Sequence, residues 1–220
     1  SVFDGCAKLS SVELSNSLTR IESYLFLRCY ALTAIDIPES VEYIGPYAFM
    51  SCSNLESINI PDAVTVMDAQ RFMDNKSLKL NQKDGGLYLA NDNNPYIYLV
   101  KVTTADLTTF NINENCKFIG DYALAGLPKL QSVNIPNTML CINFNAFASD
   151  TSLSTITIPI SVERVGSSAF AECYNLTIRC ETDTTTWYWA SNWNPDNRPV
   201  VWNCNGTANQ GGNENQGGNE

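Results

Sequence analysis

The sequence predicts a repeat solenoid: a right-handed coil rich in β-structure, with a parallel sheet on one face, one inserted β-hairpin and a tryptophan-rich C-terminal cap. Three observations predict it. Apolar residues return every 23 positions, a proline closes the same short apolar run in several units, and the period breaks at one internal place and near the C-terminus. A fixed period of this length is the signature of stacked supersecondary units.

The columns run in order along the chain. Phe3, Phe26, Phe49 and Phe72 share one phase, which Leu124, Phe147 and Phe170 take up later. Leu9, Leu32, Leu55 and Leu78 form another, resumed by Leu107, Leu130, Leu153 and Leu176. Val12, Ile35, Ile58, Phe110, Val133 and Ile156 lead two residues ahead of Leu14, Ile37, Ile60, Ile112, Ile135 and Ile158. Ile21, Ile44, Met67, Ile119, Ile142 and Val165 complete the set. Alternation within L-x-x-I-x-I suits a short half-buried strand. Pro38, Pro61, Pro136 and Pro159 end that strand, because proline lacks the ladder N–H and fixes φ. Gly45, Gly120 and Gly166 recur at one bend, which suggests a position needing a permissive backbone.

One such unit cannot cover its own apolar face. Stacked units place strands ~4.8 Å apart and share a continuous core. Burial contributes ~1.5–3 kcal/mol per Leu- or Ile-sized side chain. Ordering costs ~1–2 kcal/mol per residue, so an array folds where a lone unit does not.

The consensus, seen in LTAIDIPESVEYIGPYAFMSC and LESINIPDAV, resembles the BspA-like leucine-rich repeat, also called the Treponema-type repeat, over most of residues 3–176. The resemblance implies a cell-surface or secreted protein of a host-associated microbe, linked to adhesion. The W-x-x-x-W-N-P…P-V-V-W arrangement is similar to closing segments of that family. The expected division is repeats over 1–178, a cap over 179–205, and a disordered Gly/Asn/Gln/Glu linker over 206–220. The chain starts with Ser1 and ends within that linker, so it reads as a piece of a longer protein.

Between Leu78 and Leu107 the step is 29, and the 23-residue phase then resumes, which points to an insertion over about 79–106. Two β-rich runs around Asn91-Asp92-Asn93-Asn94 suggest a hairpin with a four- to six-residue loop. Tyr88, Tyr96 and Tyr98 lie in it, either shielding the solenoid flank or forming an aromatic recognition surface. The cap carries all four tryptophans, which suit an end that must cover apolar surface and an open sheet edge.

Candidate chemistry is sparse. The eight cysteines include no C-x-x-C pair, and Cys6, Cys29, Cys52 and Cys173 share a column with Asn75, Leu127 and Asp150, so packing rather than metal binding is expected. Cys180 and Cys204 bracket the cap, and a disulfide there would close a 24-residue loop. The absence of histidine excludes Ser-His-Asp and Cys-His catalysis. Carboxylates at Glu181, Asp183 and Asp196 have no surroundings that would raise a pKa, so no catalytic residue, metal or cofactor is expected. The net charge of −10 disfavours nucleic acid. No apolar run is long enough to insert in a membrane.

The remaining candidate is the outward strand column Glu13, Asp36, Asn59, Asn111, Asn134 and Thr157, a polar strip expected to run ~30 Å across about seven strands. With the hairpin it suggests a monomeric, non-enzymatic binding module for a host or cell-surface protein or glycan. The alternative is a structural spacer or stalk that holds another domain away from the surface.

Overall fold

The computed structural model describes residues 2–67 and 75–205. Phe72 and the 206–220 tail lie outside the described residues. No α-helix occurs among the described residues, and none is long and apolar enough to cross a membrane.

Each repeat makes one coil carrying two short strands. The L-x-x-I-x-I run gives the first kind: β2 (Ala34–Asp36), β4 (Ser57–Asn59), β9 (Thr109–Asn111), β11 (Ser132–Asn134), β13 (Thr155–Ile158) and β15 (Thr177–Cys180). The run before the glycine bend gives the second: β1 (Arg20–Ile21), β3 (Tyr43–Ile44), β5 (Val66–Met67), β10 (Phe118–Ile119), β12 (Cys141–Ile142) and β14 (Arg164–Val165). All pair in parallel, with like positions opposite, as in Ile35↔Ile58 and Ile119↔Ile142.

On the third side of each coil, backbone amides reach carbonyls 22 residues ahead: Tyr24 N to Pro46 O at 3.1 Å, Phe26 N to Ala48 O at 2.9 Å and Arg28 N to Met50 O at 2.9 Å. In the coils described on this side, two residues take left-handed backbone to aim those amides. They are mostly not glycine: Tyr47 (φ 59), Ser51 (φ 61), Asn145 (φ 52) and Ser149 (φ 64) are examples. Beneath them the phenylalanine column stacks ring on ring, Phe3–Phe26 at 5.4 Å, Phe26–Phe49 at 5.5 Å and Phe147–Phe170 at 5.2 Å. The recurring glycines serve a different need from the one their spacing suggests. A Cβ on Gly45 would lie 2.8 Å from Ser23 N, and on Gly166 2.7 Å from the backbone of Asn143 and Phe144, so close approach of adjacent coils demands glycine there.

The continuous ribbon expected from the unbroken phase is divided in two. β1-β3-β5 and β2-β4 form one set of sheets, while β9 to β15 build separate sheets beyond the insertion. Two hydrophobic clusters match this division. The end of the first stack lies against the flank of the second. Lys117 Nζ donates to Asp62 O at 2.8 Å, Asn143 Nδ2 to Met67 O at 3.1 Å, and Cys141 Sγ lies 3.7 Å from Thr65 O. Phe118 and Cys141 face the first stack and belong to its cluster, while their strand neighbours Ile119 and Ile142 face the second. β10 and β12 are therefore buried on both faces.

The insertion makes this possible. β6 (Asn81–Lys83), β7 (Gly86–Leu89) and β8 (Tyr98–Val102) form an antiparallel meander, and β8 pairs in parallel with β10 to start the second stack. The connection over 90–97 is longer than the expected four to six residues because it spans to the first stack. Asn91 Nδ2 donates to Ile60 O at 2.7 Å and to Asp62 Oδ1 at 3.0 Å, while Asn91 Oδ1 accepts the amides of Asn93 and Asn94.

At the C-terminal end the period persists beyond Leu176. Trp193 stands 23 residues after Phe170 and packs edge-on against it at 5.9 Å. β16 (Val200–Val201) adds in parallel to β15, and Ser168 N and Phe170 N donate to Asn192 O and Trp193 O. The closing segment is thus one more, degenerate coil. Trp189 and Trp193 are buried in it at 6 % and 8 % exposure, whereas Trp187 is fully exposed.

Candidate functional site

The polar strip is split between the two stacks. Asp36 and Asn59 lie on β2 and β4; Asn111, Asn134 and Thr157 lie on β9, β11 and β13. Glu13 is exposed outside any strand and shares with Asp36 and Asn16 a depression of about 370 Å³. Asn59 is half-buried and its Oδ1 has no partner among the described residues.

The second-stack portion is the more ordered. Parallel register sets Asn111 beside Asn134 and Ser132 between Thr109 and Thr155. Like side chains then bond across the strands: Asn134 Nδ2 donates to Asn111 Oδ1, and the Thr109 and Ser132 hydroxyls meet at 3.0 Å. Such cross-strand pairs fix rotamers and flatten the face. A shallow depression of about 190 Å³ opens there between Asn134, Asn137, Thr157 and Glu181. The surface offers amide and hydroxyl groups of both polarities, suited to hydrogen bonding and not to nucleophilic chemistry.

The hairpin tyrosines are not gathered on a surface. Tyr88 and Tyr98 are each 1 % exposed, one in each hydrophobic cluster. Tyr96 is half-buried and meets Tyr88 edge-on at 5.5 Å. Burial pushes the Tyr88 hydroxyl up to about 12, and it lies 3.4 Å from the Asn113 amide, which donates to it. Alternation along a strand could not distinguish shielding from recognition, because the first stack covers the outer face of this sheet.

The cysteine column has a common structural role. Cys29, Cys52 and Cys173 donate from Sγ to the carbonyls of Phe3, Phe26 and Phe147, each 26 residues earlier, at 3.2, 3.1 and 2.9 Å. Asn75 Nδ2 does the same to Phe49 O at 2.9 Å. Burial pushes the Cys52 and Cys173 thiols up to about 12, so they are inert at neutral pH. At Asp150 the column holds a fully buried carboxyl. Its Oδ1 accepts the Leu127 amide at 2.7 Å, its Oδ2 has no partner among the described residues, and burial pushes its pKa up to about 8.

No disulfide joins any of the eight cysteines in the structure, Cys180 and Cys204 included. Cys180 ends β15 and Cys204 lies in the turn beyond β16, where Cys204 N donates to Cys180 O at 3.0 Å. Burial raises the Cys180 thiol to about 12, which slows its oxidation. Among the described residues no group of His, Cys, Asp and Glu side chains could hold a metal ion. Glu181 and Asp196 serve the backbone: Ile160 N donates to Glu181 Oε2 at 3.0 Å and Glu172 N to Asp196 Oδ2.

A family model described as the BspA type leucine rich repeat region matches residues 1–84 and 102–186 in six copies. Among solved structures, the chain is similar to a leucine rich cell surface protein of Faecalibacterium prausnitzii, at 21% identity and a TM-score of 0.39, over 86% of this chain and 52% of that one. A leucine rich repeat protein of T. pallidum gives 21% identity and a TM-score of 0.35 over 72% of each chain. The pneumococcal vaccine antigen PcpA gives 16% identity and a TM-score of 0.40 over 85% of this chain and 58% of that one. The chain therefore spans about half the length of the Faecalibacterium protein. No curated protein sequence matches it.

Proposed function

Because the chain belongs to the BspA-type leucine-rich repeat family, we propose that it is a non-enzymatic binding module displayed outside the cell or at its surface, engaging a protein or glycan through the polar face of its second stack. The observation that carries this reading is the in-register ladder of Asn111, Asn134 and Thr157 on β9, β11 and β13, flanked by Thr109, Ser132 and Thr155. Extended solenoid faces commonly bind partners. Here neighbouring side chains already hold one another, so little rotamer freedom remains to be lost on association. The buried Tyr88 and Tyr98 take no part in this surface.

The test is an immobilised array of matrix proteins and glycans probed with the purified protein. Binding should weaken at least tenfold when Asn111→Ala, Asn134→Ala and Thr157→Ala are combined, with the melting temperature changed by only a few degrees. The pair Asp36→Ala and Asn59→Ala on the first stack should retain binding. Silence of the unmodified protein across the whole array would favour the spacer reading instead.

A further inference from the structure

The end-to-flank packing of the two stacks creates a cleft on a different face from the polar ladder. One wall is the outer face of the first stack, with Arg20 on β1, Tyr43 on β3 and Val66 on β5; the other carries Arg164 on β14 and Tyr188. This cleft has a volume of about 370 Å³. A neighbouring depression of about 350 Å³ shares Arg164 and Tyr188 and is lined further by Asn143, Phe144, Ser167 and Trp187. Both lie within the size range of small-ligand sites.

The aromatic groups here are displayed rather than buried. Trp187 is 100 % exposed and Tyr188 63 % exposed, although the next residue, Trp189, is buried in the closing coil. Capping accounts for Trp189 and Trp193 but not for Trp187. The turn that carries the pair is held at both ends. Thr186 Oγ1 donates to Glu163 O at 2.7 Å and accepts the Tyr188 amide at 3.3 Å, while Ala190 N donates to Val165 O at 2.8 Å. An exposed indole on a fixed turn is a preorganised stacking platform.

Guanidinium groups frame the cleft from both walls. Arg20 lies 3.8 Å above the Tyr43 ring and Arg164 lies 5.4 Å from the centre of the Tyr188 ring. Arg20 is also paired with Glu22 at 3.0 Å, whereas Arg164 makes no ion pair among the described residues. Glu163 stands on the same wall as Arg164. Two arginines and one glutamate line the cleft, and Glu22 outside the lining pairs with Arg20, so the cleft has no strong net charge within a chain whose overall charge is −10. That balance disfavours a polyanion and equally a strongly basic segment. It suits a ligand that has an apolar ring face for the aromatics and paired hydroxyls for the guanidinium fork, the carboxylate and the small polar side chains.

We propose that the cleft between the stacks and the depression adjoining it form one binding site for a neutral oligosaccharide, with a sugar ring stacked on Trp187 and Tyr188 and its hydroxyls held by Arg164 and Ser167. The assignment is independent of the ladder, since the two sites share no residue. Intrinsic tryptophan fluorescence and titration calorimetry of the full chain would test it, with cellohexaose, xylohexaose and mannohexaose as neutral probes. An oligogalacturonate and an acidic peptide serve as competing chemistries.

At least one neutral hexasaccharide should shift the fluorescence and bind saturably. Its affinity should fall tenfold or more in Trp187→Ala and in Arg164→Ala, and remain unchanged in Lys129→Ala, an exposed residue outside both faces. Trp187 is fully exposed, so its truncation leaves the packing intact, and an unchanged melting temperature checks the point. The proposal is overturned if only the oligogalacturonate or the peptide binds, if no probe binds, or if binding is indifferent to Trp187→Ala.

Discussion

The two stacks are built from the same repeat yet end in different ways. The second begins on an antiparallel meander and closes with a degenerate coil whose Trp193 continues the phenylalanine column. The first has no closing coil of that kind among the described residues. Its last strand region lies on Phe118 and Cys141, the outer face of its neighbour's sheet. Its opening coil is also less covered, with Phe3, Leu9, Val12 and Leu14 only half-buried. Apolar coil ends must be covered, but the repeat does not dictate by what. One stack uses its own chain locally and the other borrows a sheet face.

The strongest way to break this comparison is to remove the borrowed surface. Phe118→Ala should cost ~3–5 kcal/mol, the range for deleting a fully buried aromatic ring. Hydrogen exchange should then rise first over 20–67, ahead of 132–180. A uniform loss of protection across both stacks would mean that they unfold as one unit and that the division has no energetic content.

A second difference lies in the column that donates to the carbonyl 26 residues back. In the first stack Cys29, Cys52 and Asn75 fill it, and each carries a donor. In the second, Cys173 donates likewise, but Asp150 can donate only when protonated. Its pKa is about 8 in the folded chain against about 3.9 when unfolded. Between those values the folded state holds a proton that the unfolded chain has released, so this group's contribution to stability declines as pH rises from about 4 and levels off above about 8. Asp150→Asn should reproduce the Asn75 arrangement and remove that decline, raising stability at pH 8 by a few kcal/mol on the scale of ~1.4 kcal/mol per pKa unit. Thermal melts of both proteins at pH 5 and pH 8 decide it; equal pH dependence in the two would show that Asp150 is ionised throughout.

The smallest effect concerns the left-handed positions. Ser51 and Ser149 hold equivalent places in the two stacks, but among the described residues only Ser149 has a hydroxyl bonded to a neighbouring coil, donating to Glu172 Oε2 at 2.6 Å. Ser51→Gly should stabilise by ~0.5–1 kcal/mol, since glycine meets no Cβ penalty in that conformation. Ser149→Gly should gain less, because the hydroxyl contact is lost. Chemical denaturation of the two variants would sharpen the comparison, and equal gains would remove the distinction.

The L-x-x-I-x-I strands and their parallel register were legible from the 23-residue phase, because a period in sequence is also a repeat in contact, whereas the two-residue strand before each glycine bend was not. The division was not, since phase across an insertion is arithmetic whereas sheet continuity is a matter of space. A signal for it exists in the residue before each second-strand apolar position. That column reads Arg20, Tyr43, Val66, Phe118, Cys141, Arg164. Phe118 and Cys141 make two adjacent strands apolar on both faces, the pattern of a sheet covered on both sides. Trp193, one period after Phe170, likewise announced that the closing segment is a coil. Of the candidate residues, Asn111, Asn134 and Thr157 do lie on exposed or half-exposed rungs of one sheet. Tyr88 and Tyr98 could not be placed from sequence, because the stack that buries one face of their sheet is remote along the chain.

Docking the end of one stack on the flank of the other gives the molecule an elbow whose joint is made of strand faces. Whole coils could be added at the far tip of either arm without touching that joint. Reach and bend are therefore separable properties, and a lineage that duplicates coils can change the first while inheriting the second.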